Sequence, residues 1–219
     1  MSRIEWGKAG ERLFETGVER GVLYPRGQFG SPWMGLVQVS EEPSGGEAEA
    51  LYYDGVKYMD YMANEDFQAS VEAISTPPAF AQCEGVKSLS PGLYVSQQPR
   101  RTFGFCYRTL IGNDLVGKDF GYKLHLIYNA TAAPSGRTSK TVTRTVDPDV
   151  RTWTFTTVPP AATTYRPTAH ISINSTEVDP AIMQEIEDIL YGVDAAPGVI
   201  PSDARLPTIP ELVSIMGPA

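Results

Sequence analysis

Histidine and cysteine are nearly missing from this chain of 219 residues: it holds His125 and His170, Cys83 and Cys106, and no others. Two cysteines make at most one bridge, which excludes a disulfide scaffold, and both are expected to be small apolar fillers, with a bridge or a redox role left open. No Cys-x-x-Cys, no histidine pair at metal-ligand spacing, no glycine-rich phosphate loop and no Gly-x-Ser-x-Gly elbow occurs, so neither an enzyme nor a resident cofactor or metal is expected. The two histidines could still converge with Cys106, or with Asp119 and Asp179, into a nucleophile or metal site, because such sites need not be close in sequence. No motif supports that. His125, between Leu124 and Leu126, reads instead as a residue on the less apolar face of a strand. Carboxylates are abundant, but abundance is no evidence for the paired acids of a hydrolase.

Long apolar runs are absent as well. None approaches the ~18 residues of a membrane span, and Glu5, Glu11 and Glu15 interrupt any signal-peptide core, so a soluble product with no membrane insertion is expected. An excess of basic charge is also lacking: the formal net charge of −8 argues against unspecific attraction to nucleic acid.

What is present is period-two alternation. In Arg101–Thr109 the aromatics Phe103, Phe105 and Tyr107 share one face; the same beat returns in Phe120, Tyr122, Leu124, Leu126 and Tyr128, and Gly112-Asn113-Asp114 and Gly117-Lys118-Asp119 supply the turn between them. This predicts a long central hairpin whose two bulky faces share one core. Trp33–Ser40 predicts a strand, Glu41–Glu47 a loop, and Leu51–Tyr53, Asp54-Gly55 and Val56–Met62 a type I′ hairpin. Residues 65–74 alternate small apolar with polar side chains, and that alternation, with Pro77-Pro78 at its end, favours a strand over the competing helix. Residues 78–85 predict a short helical turn or a wandering loop, and Leu93–Val95 a short strand. Arg151–Thr157 alternates aromatic and threonine and predicts a strand, with Thr141–Val146 as its hairpin partner; His170–Asn174 closes the sheet system. Asp179 and Pro180 then open a helix with an Ile182, Met183, Ile186, Ile189, Leu190 stripe that Gly192 stops. A second short helix is signalled by Thr208 and Glu211.

The organisation expected is an extended N-terminal arm over 1–32, a β core over 33–192 whose helix spans 180–190, and an extension of uncertain structure over 193–219. The arm's alternating charges and glycines cannot fold alone, and its aromatics Trp6, Phe14 and Tyr24 are the candidate anchors for assembly. Between Glu41 and Glu72 nine acidic residues face the single Lys57. That is either a solvated face or a surface turned toward a polyanion that must not bind.

Several runs go further than pattern: Gly17–Tyr24, Gly35–Glu47, Asp54–Tyr58, Arg101–Thr109 and Gly121–Tyr128, in that order, resemble the major tail proteins, or tail tube proteins, of long-tailed bacteriophages infecting actinobacteria. The resemblance spans roughly residues 7–192. It implies a mainly β, tail-tube-like sandwich or barrel with one packed helix, a long N-terminal arm and a long inter-strand loop reaching neighbouring subunits. It also implies self-association into hexameric rings that stack into a tube, a tape measure protein and a tail terminator as partners, and DNA that passes through without specific binding. Location in the virion tail, after synthesis in the host cytoplasm, goes with it, and no catalytic residue carries over. Within that expectation Glu65, Asp66 and Glu72 are the candidates for an acidic lumen. A β-sandwich binding module, such as a receptor-binding or capsid-decorating virion protein, is the alternative.

Overall fold

In the computed structural model, which describes residues 5–141, 148–162, 165–195 and 201–217, the chain is mainly β. It runs through β1 (Leu13–Pro25), β2 (Ser31–Trp33), β3 (Leu36–Gly45), β4 (Ala48–Tyr53), β5 (Val56–Met62) and β6 (Glu65–Ala73) to a 3-10 turn (Pro78–Phe80) and α1 (Ala81–Glu84). Then follow β7 (Lys87–Ser90), β8 (Leu93–Val95), β9 (Phe103–Asn113), β10 (Gly117–Ala132), β11 (Arg151–Thr157), β12 (His170–Asn174), α2 (Pro180–Tyr191) and α3 (Ile209–Met216).

The β9–β10 hairpin is the central wall. Its tip is Asp114-Leu115-Val116, held by the Asn113 carboxamide oxygen, which accepts from the amides of Leu115 (3.1 Å) and Val116 (2.7 Å). The register sets Ile127 opposite Phe105 and Leu126 opposite Cys106. Because side chains alternate, Phe103, Phe105 and Tyr107 therefore point to one side of the wall and Leu124, Leu126 and Tyr128 to the other. The single shared core expected for this hairpin is thus two cores, one on each face.

The inner core gathers Phe103, Phe105, Tyr107 and Ile127 with Leu23, Trp33, Phe80, Trp153, Phe155 and the small residues Ala69, Val71 and Ala73 of β6. Trp33 lies 4.6 Å from Phe80 and edge-on to Phe105 at 5.5 Å, and Phe103 meets Phe155 edge-on at 4.9 Å, arrangements that suit the ring quadrupoles. The outer core is the sheet's other face, covered by α2 and α3: Met183, Ile186, Leu190, Ile209 and Leu212 pack on Val22, Tyr24, Cys106, Leu124, Leu126, Tyr128 and Ile173. Asp179 caps α2 by accepting from the Ala181 amide at 2.8 Å. A capping box of Thr208 and Glu211 starts α3, as the sequence signals, so two helices rather than one are packed on the sheet.

A bulge in β10, with Asn129 at φ 48°, lets one side of this strand serve two partners. Before it β10 pairs with β12 through residues 123–127, and after it with β11 through residues 130–132. From β11 the sheet continues to β6 and β3, in the order β2-β1-β9-β10-β11-β6-β3. It curls until β3 lies beside β1, where the Leu36 side chain fills the space that Gly21 leaves: a Cβ there would meet the Leu36 Cδ1 at 2.5 Å. The result is a barrel-like wrap around the inner core.

Two expectations are corrected here. Residues 13–25 are not part of an extended arm; they form β1, antiparallel to β9 from Leu13 opposite Asn113 to Pro25 opposite Phe103. Its glycines and charges are absorbed by register shifts between Thr16 and Val22, where Gly17 (φ 68°) and Arg20 (φ 51°) take the left-handed conformation. Nor is 41–47 a loop: β3 runs on to Gly45, paired with β6 down to Glu65, and Pro43 is tolerated because β3 is an edge strand. Of the predicted strand over 141–146, residues 142–146 lie outside the described residues, and β11 pairs instead with β6 and β10.

Candidate functional site

β3 and β6 leave the barrel as a hairpin that β4 and β5 prolong. After the turn residues Gly45 (φ 82°) and Gly46 (φ 72°), the ladder resumes at Ala48 opposite Met62 and ends at Tyr53 opposite Val56, where Asp54-Gly55 makes the tight turn. Along this projection the side chains change character. Near the barrel one face of β6 is buried as Ala69, Val71 and Ala73. Beyond the glycines Tyr52, Tyr53, Val56, Tyr58, Met59, Tyr61 and Met62 are 48% to 70% exposed, and the Tyr53 and Tyr58 rings meet edge-on at 5.7 Å.

The face of β6 opposite the inner core is polar across three strands. In register, Glu72 stands between Gln38 and Thr152, Ser70 between Ser40 and Thr154, and Gln68 between Glu42 and Thr156. Ser70 Oγ and Thr152 Oγ1 reach Glu42 and Glu72 at 3.5 Å. Asp66, two residues beyond Gln68 along this strand, has the same parity, so the fold brings Asp66 and Glu72 onto one hydroxyl-rich acidic face. Glu65 has the other parity and belongs to the opposite side; it does not join them.

The three arm residues part company. Trp6 is 84% exposed and Phe14 sits half-exposed on β1, across from Gly112. Tyr24 is a core residue: it lies in the outer core with its hydroxyl donating to the Leu190 carbonyl at 2.7 Å, and burial pushes its pKa up, so it fastens α2 to the sheet rather than anchoring a neighbour.

His125 and His170 do converge, although no local motif announces it. Cys106 faces the outer core, Asp179 caps α2 and Asp119 is exposed near the hairpin tip, so the residue they meet is none of those expected but Glu41 of β3. Burial works to raise the pKa of the Glu41 carboxyl, but contacts with His125, His170 and Tyr107 outweigh it and hold the group well below the usual carboxylate range. The Tyr107 hydroxyl, pushed up by burial and by Glu41, donates to Glu41 Oε1 at 2.5 Å. Both cysteines are free and fully buried, and burial pushes the Cys83 thiol up to about 12 and raises that of Cys106 as well.

No protein-family model matches the chain, and no curated protein matches it. Among solved structures, the fold is similar to a chain in the cryo-electron microscopy structure of an extracellular contractile injection system, a PVC sheath-tube complex in the extended state, at a TM-score of 0.33 and 13% identity over 71% of this chain and 88% of that one. So loose a superposition carries no functional weight.

Proposed function

We propose that this chain is a structural subunit of a phage tail tube, a major tail protein whose copies close into hexameric rings and stack into a conduit for DNA. The observation that carries the proposal is the division of one hairpin into two surfaces: a polar, acidic face on β11-β6-β3 and a projecting tip whose tyrosines and methionines are left exposed by the described residues. A two-stranded ribbon is marginal in water on its own. Exposed aromatic and methionine side chains on such a ribbon suit burial against another copy of the chain, and the open edge of β3 suits strand pairing. The resemblance of the runs between residues 7 and 192 to tail tube proteins supplies the kind of assembly, with a tape measure protein and a tail terminator as its further partners. The face bearing Asp66 and Glu72 would line the bore. Sixfold repetition would turn each carboxylate into a ring of charge, discouraging close phosphate contacts within the screening length of roughly 8 Å while leaving the centre clear. No catalytic step belongs to this reading.

Electron microscopy of the purified protein at rising concentration tests it. Long tubes of stacked rings with an open bore are the expected result; monomers at every concentration would overturn it in favour of a β-sandwich binding module.

A further inference from the structure

At the mouth of the barrel three strands bring one donor atom each to a single point. Glu41 Oε1 lies 3.0 Å from His125 Nδ1 and 3.0 Å from His170 Nε2, and the two nitrogens are 3.3 Å apart. With Zn–N bonds of about 2.0–2.1 Å, adjacent donors of a tetrahedral site stand about 3.3 Å apart, so this triangle has the dimensions of one face of such a site.

The protons make the case stronger. The Thr109 hydroxyl donates to Glu15 Oε1 at 2.6 Å, so toward His125 Nε2, 3.0 Å away, its oxygen can only accept. Nε2 therefore carries the proton, with Glu15 Oε1 a further 3.4 Å acceptor. In neutral His125 this leaves Nδ1 free to ligate, while His170 Nε2 either donates to Glu41 Oε1 or, in its other tautomer, ligates as well. The three atoms surround one point that a cation can share. A histidine whose second nitrogen donates to a hydroxyl and a carboxylate is also the usual outer support of a metal ligand. Both rings are fixed in plane: His125 stacks on Tyr107 at 4.5 Å and His170 on Phe67 at 4.8 Å. Glu41 and His125 also line a cleft of about 370 Å³, together with Glu15, Tyr107 and Thr109, so two of the three residues border open space.

We propose that Glu41, His125 and His170 form a binding site for one divalent transition cation of the Zn²⁺ class. Two imidazoles and one carboxylate favour such a cation over Mg²⁺ or Ca²⁺, which take oxygen donors. The site ties the free-edged β3 to β10 and β12 across the mouth of the barrel, and so clamps the root of the projecting hairpin. It does not depend on the tube reading.

Untagged protein, stripped with a chelator and titrated with Zn²⁺ by calorimetry, tests it. One saturable equivalent per chain is expected, with a rise in Tm that chelator reverses and, with Co²⁺ as probe, the visible absorption of a low-coordinate site. Glu41→Gln and His170→Gln, both at the partly open rim and checked for folding by circular dichroism, should each weaken binding by at least about 100-fold, since each removes a direct ligand. No saturable uptake by the wild-type protein would overturn the proposal and leave the cluster as a hydrogen-bonded contact between strands. Uptake of unchanged affinity in both variants would overturn it too, by placing the metal elsewhere.

Discussion

The wall β9–β10 and the projection β4–β5 are both antiparallel hairpins of alternating large side chains, yet the first is apolar on two buried faces and the second on none. Within the wall, Phe105 and Leu126 have no exposure at all, whereas in the projection Tyr58 is 70% exposed. The pattern that makes a strand is the same in both; what differs is whether the rest of the chain supplies a cover. For the wall, β6, β11 and the Trp33–Phe80 pair cover one side, and α2 and α3 the other. The projection lies past Gly45-Gly46, beyond the reach of both. Its side chains add little to the stability of the isolated chain, and in the proposed tube a neighbouring copy would bury them.

The largest effect expected from that contrast is on stability. Ile186 is fully buried between α2 and the wall, so Ile186→Asp should place a carboxylate in the outer core with no partner and cost on the order of 4 kcal/mol, a large part of an ordinary domain's stability. Tyr58→Asp in the projection should stay within about 0.5 kcal/mol. Denaturant unfolding of the two variants measures both, and equal losses would show that the projection is covered within the monomer.

The thiols sharpen the same contrast. Cys83 sits in the inner core and Cys106 in the outer, so neither should react with a thiol reagent in the native protein at pH 8, while a probe introduced as Tyr58→Cys should react at once. Raised thiol pKa values also set a sign. The unfolded chain loses these protons first, so their contribution to stability is complete below the ordinary value of 9.0 and is lost as pH rises through the folded Cys83 value of about 12. The slope is at most about 1.4 kcal/mol per pH unit for each thiol. Chemical denaturation at pH 8 and pH 10 of the wild type and of Cys83→Ala checks it: the variant should lose part of the alkaline decline.

How much of this was legible in the sequence follows the range of the interaction. Asp54-Gly55, the threonine-aromatic beat of 151–157 and the caps of α2 and α3 are decided within a few residues, and each stands where it was expected. β1 was hidden because its glycines and charges break the alternation, and only pairing with β9 turns those breaks into bulges. Pro43 and the acidic, glycine-bearing run after Ser40 spell a loop until β6 is seen alongside. The wall's two-sidedness is set by register, which no single strand reveals. Least legible was the meeting of Glu41, His125 and His170, since the strands that carry them are brought together only by the curl of the sheet.

Removing the projection should leave the barrel intact. With residues 47–63 excised and Gly46 joined to Asn64, the monomer's stability should change by less than about 1 kcal/mol, because the lost ribbon contributes no residue to either core. Assembly should disappear. Sedimentation and microscopy of the shortened chain read both outcomes, and full-length tubes from it would show that the tip is not a contact between copies.

The smallest effect on the monomer is the most informative about the bore. Asp66 and Glu72 lie on the hydroxyl-rich face and Glu65 on the other, by strand parity alone, so the three acidic residues that sequence groups together should separate in experiment. Reversal of Asp66 and Glu72 to lysine should alter stability by no more than about 0.5 kcal/mol, since neither side chain is in an ion pair among the described residues and Glu72 gives up only a 3.5 Å contact with Thr152. In tubes, however, the new lysines would stand wherever that face stands. If it lines the bore, DNA should be retained inside, and the retention should weaken as salt rises because it comes from neutralised phosphates. Glu65→Lys, made alone, should leave the bore unchanged, which separates a local change of wall charge from the general effect of making the tube less acidic. Equal retention by the Glu65 variant and the double variant would mean that net charge, not the face, governs passage. A map of the double variant with both lysines on the outer surface would remove this face from the bore altogether.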